Sequence, residues 1–325
     1  MLSTIYEPVQ EDLVKVEDSL SLVTRTDFPW LSELLDYSLK SGGKRIRPAL
    51  VLLSGKFYSY NLSYLLPMAT AVELMHAATL IHDDAIDKSS IRRGRPTINK
   101  LWGEEQAVLL GDYLFAKAGE TVTETQNIPV IRLFSQTLET ITSGELNQAV
   151  NAFNLEQTRQ QYLRRISGKT ASLFSLATES GVILSRAPKK VVKALKEYGD
   201  NLGIAFQIVD DILDFVGTEE EMGKPIGSDL AQGTFTLPAM LILELYPEDN
   251  LIKELFNNRY MPDEDRQANI KRVIELVVNS PIVEQCYATA SDYCAKASQS
   301  LKELPDNASR RALLELADYV IDRKR

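Results

Sequence analysis

Apolar side chains recur every three to four positions through most of the chain, over residues 31–39, 66–86, 107–118, 130–152, 162–184, 191–216 and 237–245. That spacing lines them along one face of a helix, so each segment predicts a helix packed on a shared core. Runs that alternate apolar and polar residues between turn signals, the mark of half-buried strands, are missing. The 16 glycines and 13 prolines fall mainly between the periodic segments, as at Ser41-Gly42-Gly43, Gly94-Arg95-Pro96, Ala187-Pro188 and Gly223-Lys224-Pro225. The pattern is all-α, with about ten helices or more. A length of 325 residues by itself suggests about two domains. No linker-like stretch or shift of composition divides the chain.

Composition narrows the chemistry. The charges sum to 36 − 45 = −9 and 44% of the residues are hydrophobic, the mixture of an ordinary soluble protein. An acidic chain lacks the basic surface that nucleic-acid binding needs, and none is expected. Cys286 and Cys294 are the only cysteines, which excludes a disulfide framework or a cysteine zinc site and fits a reducing compartment, the cytoplasm. The N-terminal stretch is acidic, with neither a basic nor an apolar leader region, and predicts no targeting peptide. No unbroken apolar run approaches the ~18 residues of a membrane span. The run Glu219-Glu220-Glu221 predicts a solvated loop.

Two acidic motifs break the ordinary picture. Asp83-Asp84-Ala85-Ile86-Asp87 and Asp210-Asp211-Ile212-Leu213-Asp214 share the pattern D-D-x-x-D, each behind an apolar run, with first aspartates 210 − 83 = 127 positions apart. On a helix, positions i and i+4 lie on one face about 6 Å apart, which pairs Asp83 with Asp87 and Asp210 with Asp214. Like charges so placed repel, and among apolar neighbours their desolvation is costly without a partner. A solvated helix face explains one such motif but not two. Facing each other across a cavity, the two would hold hard divalent cations, Mg2+ first, because it favours carboxylates, water and substrate phosphates. Residues 83 and 214 then share one cavity, against the two-domain expectation.

Cations gather at turns nearby, in Gly42-Gly43-Lys44-Arg45-Ile46-Arg47-Pro48 and Arg92-Arg93-Gly94-Arg95-Pro96. Glycine lets the backbone approach an oxyanion, and the arginine fork matches phosphate. Beside an acidic metal motif, these turns predict diphosphate sites. His76 precedes Asp83 by two helical turns on the same face, and is either a hydrogen-bond donor in the cavity or a satisfied core histidine. His82 lies off that face and predicts a structural role or one that supports the site residues from behind. Lys169-Thr170 and Lys224 place further cations near apolar segments.

With these residues in order, the chain resembles the trans-type polyprenyl diphosphate synthases, which elongate isoprenoid chains. The matching elements are GGKRIRP, ELMHAATLIHDDAID with RRGRPT, GDYLF, GELNQ, KTASLF, and FQIVDDILDF with GKPIGSDL; the C-terminal ADYVIDR is also similar. The resemblance implies one all-α bundle over residues 1–325 around a deep central cavity, the isoprenoid synthase fold. It implies a homodimer, with a heteromeric partner as the alternative. It also implies three Mg2+ ions, with Asp83, Asp87 and Asp210 as main ligands and Asp84, Asp211 and Asp214 beside them or ligating through water. Lys44, Arg47, His76 and Arg93 match positions that hold isopentenyl diphosphate. Arg92, Lys169 and Lys224 match those that hold the allylic diphosphate, and Thr170 and Gln207 those near the developing cation. Thr234 stands where many relatives carry a lysine, which puts one diphosphate contact in doubt.

Product length follows from the residues before Asp83. Short-chain members of the family carry an aromatic floor four or five positions earlier, where this chain has the small Thr79 and Ala78. The expected product is medium or long, about C30 to C50, with Leu74 and Met75 as deeper candidate stops. A class I terpene cyclase is the runner-up, though its second motif is usually of mixed Asn/Ser/Glu type. A regulatory subunit would carry degenerate acidic motifs, and both are intact here.

Overall fold

The computed structural model describes residues 2–40, 42–218, 225–248, 250–258 and 260–323. Lys224 and the run Glu219-Glu220-Glu221 lie outside the described residues. Helices of eight or more residues are α1 (Gln10–Val23), α2 (Pro29–Leu39), α3 (Ile46–Gly55), α4 (Leu62–Ile86), α5 (Glu104–Thr123), α6 (Ile128–Val150), α7 (Arg159–Ile166), α8 (Ser172–Leu184), α9 (Lys189–Val216), α10 (Leu237–Leu245), α11 (Asp263–Val278), α12 (Ile282–Ser300) and α13 (Ala308–Asp322). The predicted helical segments all appear. One departure is a small antiparallel hairpin, β1 (Ile91–Arg92) and β2 (Arg95–Pro96). Strands of two residues are too short to show alternation, and the hairpin instead follows from its turn: Arg93 and Gly94 both have positive φ, 52° and 71°, as a tight two-residue turn requires.

Side chains fix several helix starts. Asn61 accepts from the Ser63 N–H at 3.0 Å to open α4, and Asn127 from Val130 at 3.1 Å to open α6. Thr158 and Gln161 form a reciprocal capping box on α7, satisfying donors that the first helical turn leaves free.

Helix α4 lies at the centre, packed on α3, α5 and α8, while α9 packs on α8 and α12. By length and a mean hydropathy of 1.3, α4 is apolar enough to cross a bilayer. Polar residues interrupt its apolar run, and only the average over the helix passes that test. Its apolar window is 61% buried among neighbouring helices, so the fold accounts for that composition. Close approach of α9 to its neighbours depends on glycine. A Cβ at Gly203 would sit 2.4 Å from the Ala171 Cα, and one at Gly199 2.4 Å from the Thr178 hydroxyl. Larger residues would push α9 off the segment that carries Lys169 and Thr170.

Candidate active site

A cavity of about 670 Å3 opens between α3, α4, α6, α8 and α9. It is lined by Lys44, Arg47, His76, Thr79, Asp83, Asp87, Arg92, Arg93, Lys169, Thr170, Gln207, Asp210, Asp211 and Thr234. The two acidic motifs thus meet in space despite their separation in sequence. Asp84, Asp214, Ala78, Met75 and Leu74 are not among the lining residues. Ala78, Met75 and Leu74 are wholly buried in the packing around α4. Of the residues named for product length, only Thr79 reaches the cavity.

One face of α4 carries Glu73, His76, Leu80, Asp83 and Asp87, all of which line the cavity and follow the alternating three- and four-residue steps of a single stripe. Asp83 sits in the last turn and Asp87 caps the helix, its N–H donating to the Asp83 carbonyl at 2.8 Å. Asp84 turns the other way. Both of its oxygens accept from Arg92 Nε, at 2.8 and 2.9 Å, and burial, against the pull of that guanidinium, raises its pKa to about 6.

The second motif is held differently. The buried Asp211 accepts from Tyr162 OH at 2.7 Å and from Gln207 Nε2 at 2.8 Å. Burial raises its pKa to about 6, while these two hydrogen bonds pull it down. Asp214 is fully buried; its oxygens accept from Ser228 Oγ at 2.8 Å and the Asp229 N–H at 3.1 Å, tying residues 228–229 to α9. Asp210 faces the cavity and meets Arg323 Nη2 at 2.6 Å.

Lys169 and Thr170 lie in a single π-turn, Ser167–Ala171, between α7 and α8. Such a wide turn redirects side chains and often marks functional sites. Lys169 Nζ stands 2.6 Å from Glu145 and 3.5 Å from Asp83. Burial opposes its charge, but Asp83 and Glu145 more than offset this and raise its pKa. Thr170 donates to Gln207 Oε1 at 2.6 Å.

The opposite wall is basic. Arg47 is half-buried; desolvation lowers its pKa to about 10 even though Glu73 and Asp210 partly restore it, and its guanidinium stacks on Phe174 at 5.0 Å. Burial, then the charges of Arg47 and Arg93, push His76 well below the usual imidazole range. It is therefore neutral at pH 7, with a ring nitrogen free to donate or accept. Arg47 Nε and Arg323 Nε and Nη1 are buried without a hydrogen-bond partner among the described residues. Buried guanidinium donors without partners are costly, and an anion in the cavity would satisfy them. His82 instead packs on α5, 3.0 Å from the Val108 carbonyl and edge-on to Phe115, consistent with its off-face position. Cys286 and Cys294 are both buried as free thiols.

Several site residues escaped the sequence reading. Glu73 is 5% exposed and accepts from Arg45 Nη1 at 2.7 Å, and Arg45 also pairs with Glu17. Arg45 holds φ 48° as it opens α3, so this pairing fixes the turn that presents Lys44 and Arg47. The signal for Glu73 was present: a lone carboxylate in an apolar helix, three residues before His76. Glu145 lay within a matched motif without an assigned role. Arg323 closes the matched ADYVIDR segment but had no assigned role, because only the fold carries the end of α13 to Asp210.

A divalent metal fits this donor set. Asp83 on one wall pairs with Lys169 and Asp210 on the other with Arg323, and Asp87 lines the cavity beside Asp83, so the carboxylates call for positive charge. Among the described residues, no three His, Cys, Asp or Glu side chains approach closely enough to hold a metal alone. Mg2+ suits such a half-built site, because it takes one or two carboxylates and completes its shell with water and substrate phosphates.

An all-helical fold with acidic walls facing across a cavity and a basic wall beside them defines an isoprenoid synthase. The polyprenyl synthetase family model matches residues 28–277, and the chain belongs to that family. Heptaprenyl diphosphate synthase component 2 of Bacillus subtilis is 39% identical over 98% of this chain and 90% of its own. Solanesyl-diphosphate synthase 2 of Oryza sativa is 36% identical over 99% of this chain and 80% of its own. The structure of polyprenyl synthase from Caulobacter crescentus, complexed with calcium and isoprenyl diphosphate, superposes with a TM-score of 0.94 at 32% identity, covering 100% of this chain and 98% of that one. The fold, the family and the activity are thus those of medium- to long-chain trans-prenyltransferases.

Proposed function

We propose that this chain, acting over residues 1–325 as one domain, condenses isopentenyl diphosphate with an allylic diphosphate to give an all-trans polyprenyl diphosphate of about C30 to C50. The observation that carries the reading is the facing of Asp83 and Asp87 across the cavity from Asp210, beside the Arg47 Nε donor, which has no hydrogen-bond partner among the described residues.

Mg2+, three ions in this reading, would be held by Asp83, Asp87 and Asp210 and would neutralise charge on the departing diphosphate. Lys169 and Arg92 bind that diphosphate from the protein side, with Lys224 assigned the same task from the sequence. The allylic C–O bond breaks and its electron pair leaves with the diphosphate, which the fixed positive groups stabilise. Lys44, Arg47, His76 and Arg93 hold isopentenyl diphosphate so that its double bond reaches the allylic carbon. A carbon–carbon bond forms, a proton is lost to the diphosphate, and the chain grows by one isoprene unit. Neutral His76 adds a hydrogen bond without further charge. Ile141, Ile166, Leu173 and Phe206 line the cavity with apolar surface that excludes water from the cation.

The exposed apolar residues Val108 and Leu109 of α5 and Leu146 and Val150 of α6 support a subunit interface, with a second copy or a different partner. The Bacillus relative's designation as component 2 supports the latter. A cytoplasmic location fits the two buried free thiols, Cys286 and Cys294.

Incubating purified protein with Mg2+, isopentenyl diphosphate and separate allylic primers, and weighing the products, tests the reading. Elongated diphosphates of at least C30 are expected, abolished by a chelator. No elongation from any primer, alone or with a partner subunit, overturns it; a cyclised hydrocarbon would mark a terpene cyclase instead.

A further inference from the structure

Tyr162 has no part in the chemistry described above, yet it is a wholly buried phenol hydrogen-bonded to one of the six motif aspartates. It begins a chain of hydrogen bonds whose direction is fixed at one end. Tyr162 OH donates to Asp211 Oδ2 at 2.7 Å, Gln207 Nε2 donates to Asp211 Oδ1 at 2.8 Å, and Thr170 Oγ1 donates to Gln207 Oε1 at 2.6 Å. A carboxylate only accepts, so Asp211 must face the amide nitrogen of Gln207. The amide oxygen is then turned to Thr170, whose proton it takes. What Thr170 has left for the cavity is its lone pairs.

We propose that Tyr162 is a positioning residue, which holds the Asp211 carboxylate against the Gln207 amide and so keeps the proton of Thr170 turned to the amide oxygen and its electron pairs turned to the developing allylic cation. The inference rests on the prenyl-transfer reading of the site. The reason is electrostatic: a hydroxyl oxygen turned toward growing positive charge stabilises it, and a proton turned toward it does the reverse. Each part is held in place by something else. Tyr162 is packed in the core with Arg165 5.5 Å over its ring, and Arg165 is itself tied to the Phe235 carbonyl at 2.8 Å. Gln207 and Asp211 are one turn apart on α9, and the π-turn of Ser167–Ala171 aims Thr170 at them. Asp211 has both oxygens engaged in this relay, which distinguishes it from Asp210 beside it.

The test is a double-mutant cycle in the full-length protein with Mg2+, isopentenyl diphosphate and an allylic primer. Tyr162→Phe keeps the ring and removes only the terminal donor. It should lower the single-turnover rate by ~10-fold while both KM values stay within ~2-fold, the pattern of an interaction made only in the transition state. In a Thr170→Val background the same change should cost less than ~2-fold, because residues in one network are not additive. Thr170→Ser, which keeps the hydroxyl, should keep the rate. A wild-type rate for Tyr162→Phe overturns the proposal, as do losses that multiply independently with Thr170→Val. Should Tyr162→Phe fail to fold, Asp211→Asn in the same cycle reads the same relay, with additivity again the overturning result. An inactive wild type would instead overturn the prenyl-transfer reading, so the two failures are distinguishable.

Discussion

The two Asp-Asp-x-x-Asp motifs have the same spelling and opposite surroundings. In the first, at the open end of α4, Asp83 and Asp87 line the cavity and Asp84 is clamped by a partly exposed arginine from the hairpin. In the second, near the end of α9, Asp210 lines the cavity, Asp211 is tied to neutral donors, and the fully buried Asp214 holds Ser228 and Asp229. Spacing on a helix decides which carboxylates share a face. The partners packed around them decide which remain free to act.

The largest expected difference lies within the second motif. Asp210→Asn should lower elongation by ~100-fold or more without loss of fold, as for removal of a group that stabilises transition-state charge. Asp214→Asn should act through stability instead. Two buried or half-buried donors, Ser228 Oγ and the Asp229 N–H, lose a charged acceptor, at a cost of about 1–3 kcal/mol. Chemical denaturation and steady-state kinetics on both variants separate the two effects; equal loss of activity at equal stability would erase the distinction.

Glu73→Gln addresses the basic wall. Weakening its bond to Arg45 should loosen the turn carrying Lys44 and Arg47 and raise KM for isopentenyl diphosphate by ~10-fold, since breaking a buried ion pair costs several kcal/mol at most. KM for the allylic substrate should change little. An equal rise in both would place Glu73 outside the proposed division of the site.

At the cavity wall, Thr79→Phe should shorten the product, read by mass, because Thr79 is exposed to the cavity. Ala78→Phe forces an aromatic ring into a fully packed position and should cost about 1–3 kcal/mol of stability. Shortening by Ala78→Phe alone would reverse that assignment.

The smallest effect concerns His76. Its pKa in the folded protein lies well below the ordinary value, so on acidification through about 6.5 the unfolded chain takes up a proton that the folded chain refuses. The stability that His76 contributes is full above that pH and is lost as pH falls toward the folded value. Between pH 7 and 5.5 the wild type should lose about 1 kcal/mol more than His76→Asn. Asp84 and Asp211, each raised to about 6, act in the opposite sense in both proteins and cancel in the difference. Equal pH profiles would show that His76 is not held neutral.

Much of this was legible in the sequence because helices translate spacing into geometry. The stripe of Glu73, His76, Asp83 and Asp87 follows from steps of three and four, and so does the fold class. The hairpin was hidden because its strands are too short to alternate. Arg323 and Tyr162 were hidden for a different reason: their neighbours lie 113 and 49 positions away, and only tertiary packing brings them together. The burial of Ala78 and Met75 was likewise a matter of which neighbours cover α4, which no local pattern records.

In the proposed site neither acidic wall holds metal alone, and a diphosphate completes the coordination between them. Calorimetric titration of Mg2+ into the wild type, Asp83→Asn and Asp210→Asn, each with and without inorganic pyrophosphate, tests it most directly. Tight binding is predicted only for the wild type with pyrophosphate, and its loss when either aspartate is replaced. Undiminished Mg2+ binding by either variant, or tight binding to the wild type without pyrophosphate, would contradict the account.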